Sequence, residues 1–329
     1  MRDDSSATAL RSIALGGVLA ALGVLAFSFS LPGTALALDG LDPYLIGVGR
    51  AAAAALLSAA ALAAAAARPP SRRHVPGLLA VGLGVALGFP VLSTLALHAG
   101  ASVAHGGVVI GLLPAVTAVF AAVRAGERPS PAFWLGGILG ALVITAFTVA
   151  EGGGAITAAD LLLLGALGVC GYGYAEGGRL ARHMPGWQVI SWALVLIAPI
   201  TVPATLVLLA VTRPVWTAEA VIGFGYVSVV SMYLGFFAWY AGMARLGIAK
   251  AGQFQLAQPI LTLIWSALLL GERLAPATWG AAAAVVACVA WTQRARVRTA
   301  VPAAPPPRLA AGDRLHRAAG RAPAARRAS

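Results

Sequence analysis

Apolar residues are not distributed along this chain with a single amphipathic period. They gather in ten runs separated by short polar connections. A bilayer core is crossed by a helix of about 20 apolar residues. By that measure the spans fall at 13–36, 44–67, 76–97, 102–124, 132–150, 159–179, 188–211, 219–243, 248–270 and 277–293. The connections carry helix breakers or charge: Asp39-Gly40, Pro69-Pro70, Pro129, Gly152-Gly153-Gly154, Pro185-Gly186 and Pro214. The pattern predicts an all-α integral membrane protein with ten transmembrane helices. Residues 1–12 precede the first span. The tail, 294–329, is rich in Ala, Pro and Arg with no sustained apolar period, and reads as disordered. The first run ends in Ala35-Leu36-Ala37, which has the form of a signal-peptide cleavage site. The run is longer than a signal core, so it is expected to remain as the first span.

Composition agrees: 60% of the 329 residues are hydrophobic and 10% charged, against roughly a quarter charged in soluble domains. The formal charge of +12 would suit a nucleic-acid binder, but its placement argues against one. Nine arginines lie in the tail, and most other cations sit in alternate connections. The N-terminus and the even-to-odd loops hold Arg2, Arg11, Arg68, Arg72, Arg73, Arg124, Arg128, Arg179, Arg182, Arg245 and Lys250; the opposite set holds only Arg213 and Arg273. By the positive-inside rule both termini are cytoplasmic. The two cysteines, Cys170 and Cys288, fall inside apolar runs and read as small buried side chains.

An internal repeat organises the spans. Residues 112–134, LLPAVTAVFAAVRAGERPSPAFW, align with 257–279, AQPILTLIWSALLLGERLAPATW, at an offset of 145. The matches include Pro114/Pro259, Thr117/Thr262, Gly126/Gly271, Glu127/Glu272, Arg128/Arg273, Pro131/Pro276 and Trp134/Trp279. Two prolines, a Gly-Glu-Arg triplet and a tryptophan in register indicate duplication of a five-helix unit, 13–150 and 151–293. Five is odd, so the copies are expected to lie upside down relative to each other. That arrangement is common in secondary transporters, where swapped conformations of the halves expose a central cavity to either side.

These residues resemble the drug/metabolite transporter superfamily, in particular its EamA-type ten-helix members. The resemblance rests on the Pro in the fourth and ninth helices followed by a Gly-Glu ending, Pro114 to Glu127 and Pro259 to Glu272, and covers residues 13–293. It implies a basket of two five-helix units around a central cavity. It further implies an exporter of amino acids, related metabolites or toxic small molecules, located in a cell inner membrane.

Within that frame several side chains are candidates for solute contact. Gln255 and Gln258 replace Ile110 and Leu113 of the other copy, are three residues apart on one helical face, and continue into Thr262. An amide in hydrocarbon needs a partner, either a solute or a neighbouring helix. Ser231, Tyr233 and Trp239 in the eighth span, Tyr172 in the sixth and Ser28 in the first combine apolar bodies with hydroxyl or N–H groups. Ser28 and Ser30 have backbone carbonyls as alternative partners. Arg50 lies about two turns inside the second span and must find an anionic solute, a carbonyl, or Asp39 or Asp42. Glu176 is the one carboxylate placed within a span; two roles are open to it, proton coupling and an ion pair with Arg179. Pro114 and Pro259 are expected near mid-membrane as kinks or hinges. Glu127 and Glu272 are expected to pair with their neighbouring arginines at the interface.

No Walker-type loop, H-E-x-x-H, C-x-x-C or dinucleotide glycine motif is present. No enzyme activity, cofactor or metal is therefore expected; the partners are a small-molecule solute and the lipid bilayer, with no nucleic acid. The leading functional reading is a secondary transporter working by alternating access, exporting small metabolites. A multidrug efflux carrier is the alternative within the class. An intramembrane enzyme using Ser102 with His98 or His105, and a channel or sensor module, are the alternatives outside it.

Overall fold

The structure is a computed structural model that describes residues 2–125, 128–151, 153–294 and 297–298. Glu127 and the tail beyond Arg298 lie outside the described residues. Apart from a two-residue antiparallel pairing of Arg128–Pro129 with Val297–Arg298, the regular structure described is helical.

The first apolar run forms α1 (Arg2–Ser28) and α2 (Ser30–Ala37), which meet at Phe29, and the second forms α3 (Pro43–Ala64). The third is a continuous rod, Arg72–His98, that contains α4 (Val75–Val81), a π-helical stretch (Gly82–Gly88) and α5 (Phe89–His98). The fourth divides into α6 (Val103–Ile110) and α7 (Leu113–Ala125). Next come α8 (Pro131–Glu151), α9 (Ala158–Leu180) and α10 (Gly186–Thr212). The eighth run holds α11 (Ala218–Gly225), a second π-helical stretch (Tyr226–Leu234) and α12 (Gly235–Leu246). The chain closes with α13 (Ile248–Gln255), α14 (Gln258–Leu269) and α15 (Pro276–Arg294). Among the described residues, eight helical runs are long and apolar enough to cross a membrane. The ninth predicted span is the α13–α14 pair, and the tenth is α15, whose apolar part is Pro276–Thr292.

Element ends follow local chemistry. Pro43 opens α3 behind Asp42, whose carboxylate accepts the Tyr44 N–H at 2.8 Å. Thr157 and Asp160 form a reciprocal capping box at the start of α9. Ser102 caps α6 through the His105 N–H at 3.0 Å, and Thr217 caps α11.

The proline expectation needs correcting. Pro114 and Pro259 do not kink a continuous helix. Each is the second residue of a helix that begins after a break, α7 and α14. There the missing N–H is one that no intrahelical carbonyl would have accepted. The breaks are carried by i→i+3 bonds: Leu112 N to Val109 O and Ala115 N to Leu112 O in one copy, Leu256 N to Gln253 O and Ala257 N to Phe254 O in the other. The two breaks are 145 residues apart, as are the starts of α6 and α13, of α7 and α14, and of α8 and α15. The first π-helical stretch, shifted by 145, falls inside the second. The duplication seen in the sequence thus reaches the irregularities of the backbone.

Packing between helices uses glycine. A Cβ on Gly242 of α12 would lie 2.8 Å from the Ala20 nitrogen in α1, so the two backbones are in direct contact. Gly47 of α3 lies against Val91 of α5, and Gly140 of α8 against Leu112 and Cys288. In a bilayer such close approach replaces the hydrophobic drive that water would supply. The outer surface carries large apolar side chains, among them Leu56, Ile138, Leu142, Leu206 and Val211, as a lipid-facing surface requires. Gly242→Val is expected to lower the thermal melting point in detergent, by overpacking worth about 1–3 kcal/mol, while Gly137→Val, where a Cβ meets nothing, leaves it unchanged.

Candidate functional site

The breaks and π-helical stretches converge on a chamber inside the bundle. It is a tight cavity of about 30 Å³ and draws its lining from seven runs of the chain. Phe27, Tyr174 and Phe236 form an aromatic wall, with centroid separations of 4.6 Å (Phe27–Phe236) and 5.9 Å (Tyr174–Phe236). Pro259, Thr262 and Gln258 enter from α14, opposite Gly107 and Gly111 of the other copy.

Arg50 is the charged residue of this lining and is 2% exposed. Its Nη2 donates to Ser30 Oγ at 3.2 Å and to Ser231 Oγ at 3.3 Å, and the two hydroxyls lie 2.9 Å apart. The turn at Phe29 aims Ser30 inward. The π-helical stretch, whose wider coil shifts side-chain directions, brings Ser231 to meet it. Among the described residues Arg50 Nε has no partner, and neither has the Gln258 side-chain oxygen. Asp39 and Asp42, the carboxylates considered for Arg50, are engaged elsewhere: Asp39 accepts from Thr217 and Asp42 caps α3.

A wider vestibule of about 460 Å³ lies beside the chamber. The two meet where Tyr174 of the chamber wall packs on Trp239 of the vestibule wall, ring centroids 5.9 Å apart. The vestibule is bounded by the end of α7 and the start of α13, and its charged lining is Arg124, Arg179, Arg182, Lys250 and Glu176. Glu176 is 1% exposed and accepts from Arg124 Nε at 2.6 Å and from Arg179 Nη2 at 2.7 Å. The predicted Glu176–Arg179 pair is therefore half of a triad that ties α7 to α9. Gln255 Nε2 and Trp239 Nε1 are buried without partners.

At the other end, Glu272 does not pair with Arg273. Its carboxylate accepts the Val103 and Ala104 N–H groups at 2.9 and 3.0 Å and the Ser266 hydroxyl. It thereby caps α6 of the first copy from the end of α14 in the second, where the helix dipole favours a negative charge. Beside it, His105 Nε2 lies 2.6 Å from Asp160, which is 2% exposed and also accepts from Thr157.

The residues expected at the site therefore divide. Arg50, Ser231, Gln258, Thr262 and Pro259 line the chamber; Gln255, Trp239, Glu176 and Pro114 line the vestibule. Gln255 and Gln258 do not share one helical face, because the chain breaks between them at Leu256 and Ala257. Ser28, Tyr172 and Tyr233 line neither cavity. Ser28 donates to Leu25 O and accepts from Trp265, Tyr172 packs on Phe120, and Tyr233 approaches Ser191 and the Leu57 carbonyl. Sequence reasoning passed over Phe27 and Phe236, which look like ordinary core residues, and the His105–Asp160 pair, whose members are 55 residues apart.

A helical bundle with lipid-compatible outer faces, a largely apolar chamber holding one buried arginine, and a charged vestibule defines a multi-spanning membrane protein. The comparisons agree. The EamA-like transporter family model matches residues 14–149 and 157–293, one match per repeat. The chain is 43% identical over 276 residues to the "Uncharacterized transporter YdeK" of Bacillus subtilis (strain 168), covering 83% of this chain and 95% of that one. A solved crystal structure shares the fold, with a TM-score of 0.60 at 20% identity over 85% of this chain and 98% of its own. The chain belongs to the EamA-like transporter family.

Removing the charge of Glu176 leaves two arginines facing each other at the vestibule wall. Glu176→Gln is expected to destabilise the folded protein by about 1–3 kcal/mol, the cost of a lost charge-assisted buried hydrogen bond, read as a lower melting temperature. Arg182→Gln, which has no place in the triad, serves as the comparison and is expected to melt like the wild type.

Proposed function

We propose that this protein is a secondary carrier that exports small metabolites, amino acids or related compounds, across the inner membrane by alternating access. In this reading ten membrane-crossing segments form two inverted five-helix repeats, with both termini in the cytoplasm. The observation that carries it is the unequal state of the two ends of one solute path. At the end rich in arginine, the vestibule reaches the chamber wall at Trp239 and Tyr174. At the far end, Glu272 of one copy clasps the start of α6 in the other. The start of α6 thus lies by the end of α14, while the end of α7 and the start of α13 bound the vestibule together. Segments 103–125 and 248–270 run in opposite directions, which supports inversion of the copies. Rocking of the halves about the chamber would close the vestibule and release the far clasp, and the breaks before Pro114 and Pro259 supply flexure points in both copies.

Glu176 acts in this reading as a strut of the vestibule rather than a proton carrier, because both of its oxygens are held by arginines. For the enzyme alternative, no hydrogen bond among the described residues joins the Ser102 hydroxyl to the His105 ring. Ser102 Oγ accepts the His105 backbone N–H, and the His105 ring turns to Asp160. An aromatic wall also suits amphipathic drugs, but among the described residues the chamber lining has no carboxylate to hold a cation.

The test is efflux from cells or proteoliposomes loaded with amino acids, organic acids or cationic drugs, with and without a pH gradient. Saturable export of at least one solute is expected. Gln258→Leu is expected to lower it about tenfold, as loss of a buried polar contact to substrate does, with unchanged insertion. Absence of saturable flux across the whole panel overturns the carrier reading.

A further inference from the structure

We infer that the central chamber binds an organic carboxylate of net negative charge, with an apolar body and a neutral hydrogen-bond donor near the carboxylate. The inference rests on the carrier reading for calling this ligand a substrate, but not for the binding itself.

The first observation is the state of Arg50. A guanidinium buried in a membrane interior is costly unless an anion compensates it. Among the described residues no carboxylate does so. Asp42 caps α3, Asp39 accepts from Thr217, Asp160 is taken by His105 and Thr157, Glu176 by two arginines, and Glu272 by the α6 terminus and Ser266. Two neutral serine hydroxyls hold one arm of Arg50, and its Nε donor has no acceptor. A carboxylate meets such a fork with two parallel hydrogen bonds, a match that a lysine does not reproduce. The charge is not a requirement of the fold. The position 145 residues on is Val195, between Leu194 and Leu196, and the second copy builds its bundle without a cation there.

Three further features define the rest of the ligand. The Gln258 side-chain oxygen is buried, lacks a donor and lines the same chamber, so the ligand brings a hydroxyl or amide N–H. Phe27, Tyr174 and Phe236 receive an apolar or aromatic body. Among the described residues the lining contains no Asp or Glu, so an ammonium group would face the guanidinium with only neutral acceptors around it. This sets a monoanion above a zwitterion and excludes a cation. The approach agrees in sign: among the described residues the vestibule presents Arg124, Arg179, Arg182 and Lys250 against one carboxylate, Glu176, a field that draws anions inward.

Four probes of one shape separate these terms: 3-phenyllactate (anion with hydroxyl), 3-phenylpropionate (anion without it), phenylalanine (zwitterion) and phenylalanine amide (cation). Binding is measured by calorimetry on the purified full-length protein in detergent. Phenyllactate is expected to bind tightest, phenylpropionate and phenylalanine more weakly, and the amide without saturation. Arg50→Lys is expected to weaken phenyllactate by about tenfold or more, from loss of the two-pronged bond, and Gln258→Leu to erase the advantage of phenyllactate over phenylpropionate. Should either variant fail to fold, the ranking of the four probes on the wild type decides by itself. Equal binding of amide and phenyllactate, or no saturable binding of either anion, overturns the inference. Phenyllactate binding with no saturable flux of any panel solute in proteoliposomes keeps the chamber assignment and overturns the carrier reading. Flux of other solutes without phenyllactate binding does the reverse.

Discussion

A bilayer interior offers no water to an open backbone N–H or C=O, and each one left without a partner costs several kcal/mol. Any departure from a straight helix must therefore satisfy its own peptide groups. This chain departs at Phe29, at Gly111–Leu112, at Leu256–Ala257 and along two π-helical stretches. Each departure is closed locally, the helix breaks by i→i+3 bonds and the Phe29 turn by Gly33 N to Phe29 O at 2.9 Å. The proline that follows each break sits where a helix has an N–H to spare. The polar interior is built from these irregularities: Ser30, Ser231 and Gln258 all stand at or beside one.

The duplication explains why the irregularities occur in pairs, and the differences between the copies explain what they are used for. Gly107 and Gly111 of the first copy leave room where Pro259 and Thr262 of the second approach, with a Gly107 Cβ only 2.8 Å from Thr262. Shared features such as the breaks and π-helical stretches belong to the architecture. Unshared ones, Arg50 and Gln258, stand out against apolar counterparts and line one chamber. A buried cation is a poor stabiliser, since its desolvation rivals what any partner returns. Its retention in the chamber is easier to understand as recognition than as support.

Charge also separates the two ends. Both acidic contacts join the two copies: Glu176 of α9 holds Arg124 of α7 at the vestibule, and Glu272 after α14 caps the start of α6 at the far end. In the proposed cycle the Arg124–Glu176 bond braces the halves at the vestibule, and the Glu272 clasp at the far end is the contact that rocking must release. The His105–Asp160 pair adds a second tie at that far end, between α6 and α9.

The eight long apolar runs and the two-copy repeat were legible in the sequence, because the bilayer imposes a length on apolar runs and a duplication preserves spacing. The isolated arginine in the second span was legible too, since ten charged residues per hundred make each buried one conspicuous. The pairing of Glu176 with Arg124, of His105 with Asp160 and of Glu272 with the start of α6 was not, because each joins segments far apart in the chain with no local spacing to betray them. The separation of Gln255 from Gln258 was hidden for another reason. Helical periodicity assumes an unbroken helix, and only the folded backbone revealed the turn at Leu256 and Ala257. Sequence thus determined which segments enter the membrane and which residues are out of place there. Tertiary structure decided which of those residues face one another, because that depends on how helices from two copies cross, and the crossing is set by glycine contacts and backbone breaks that carry no sign of their partners.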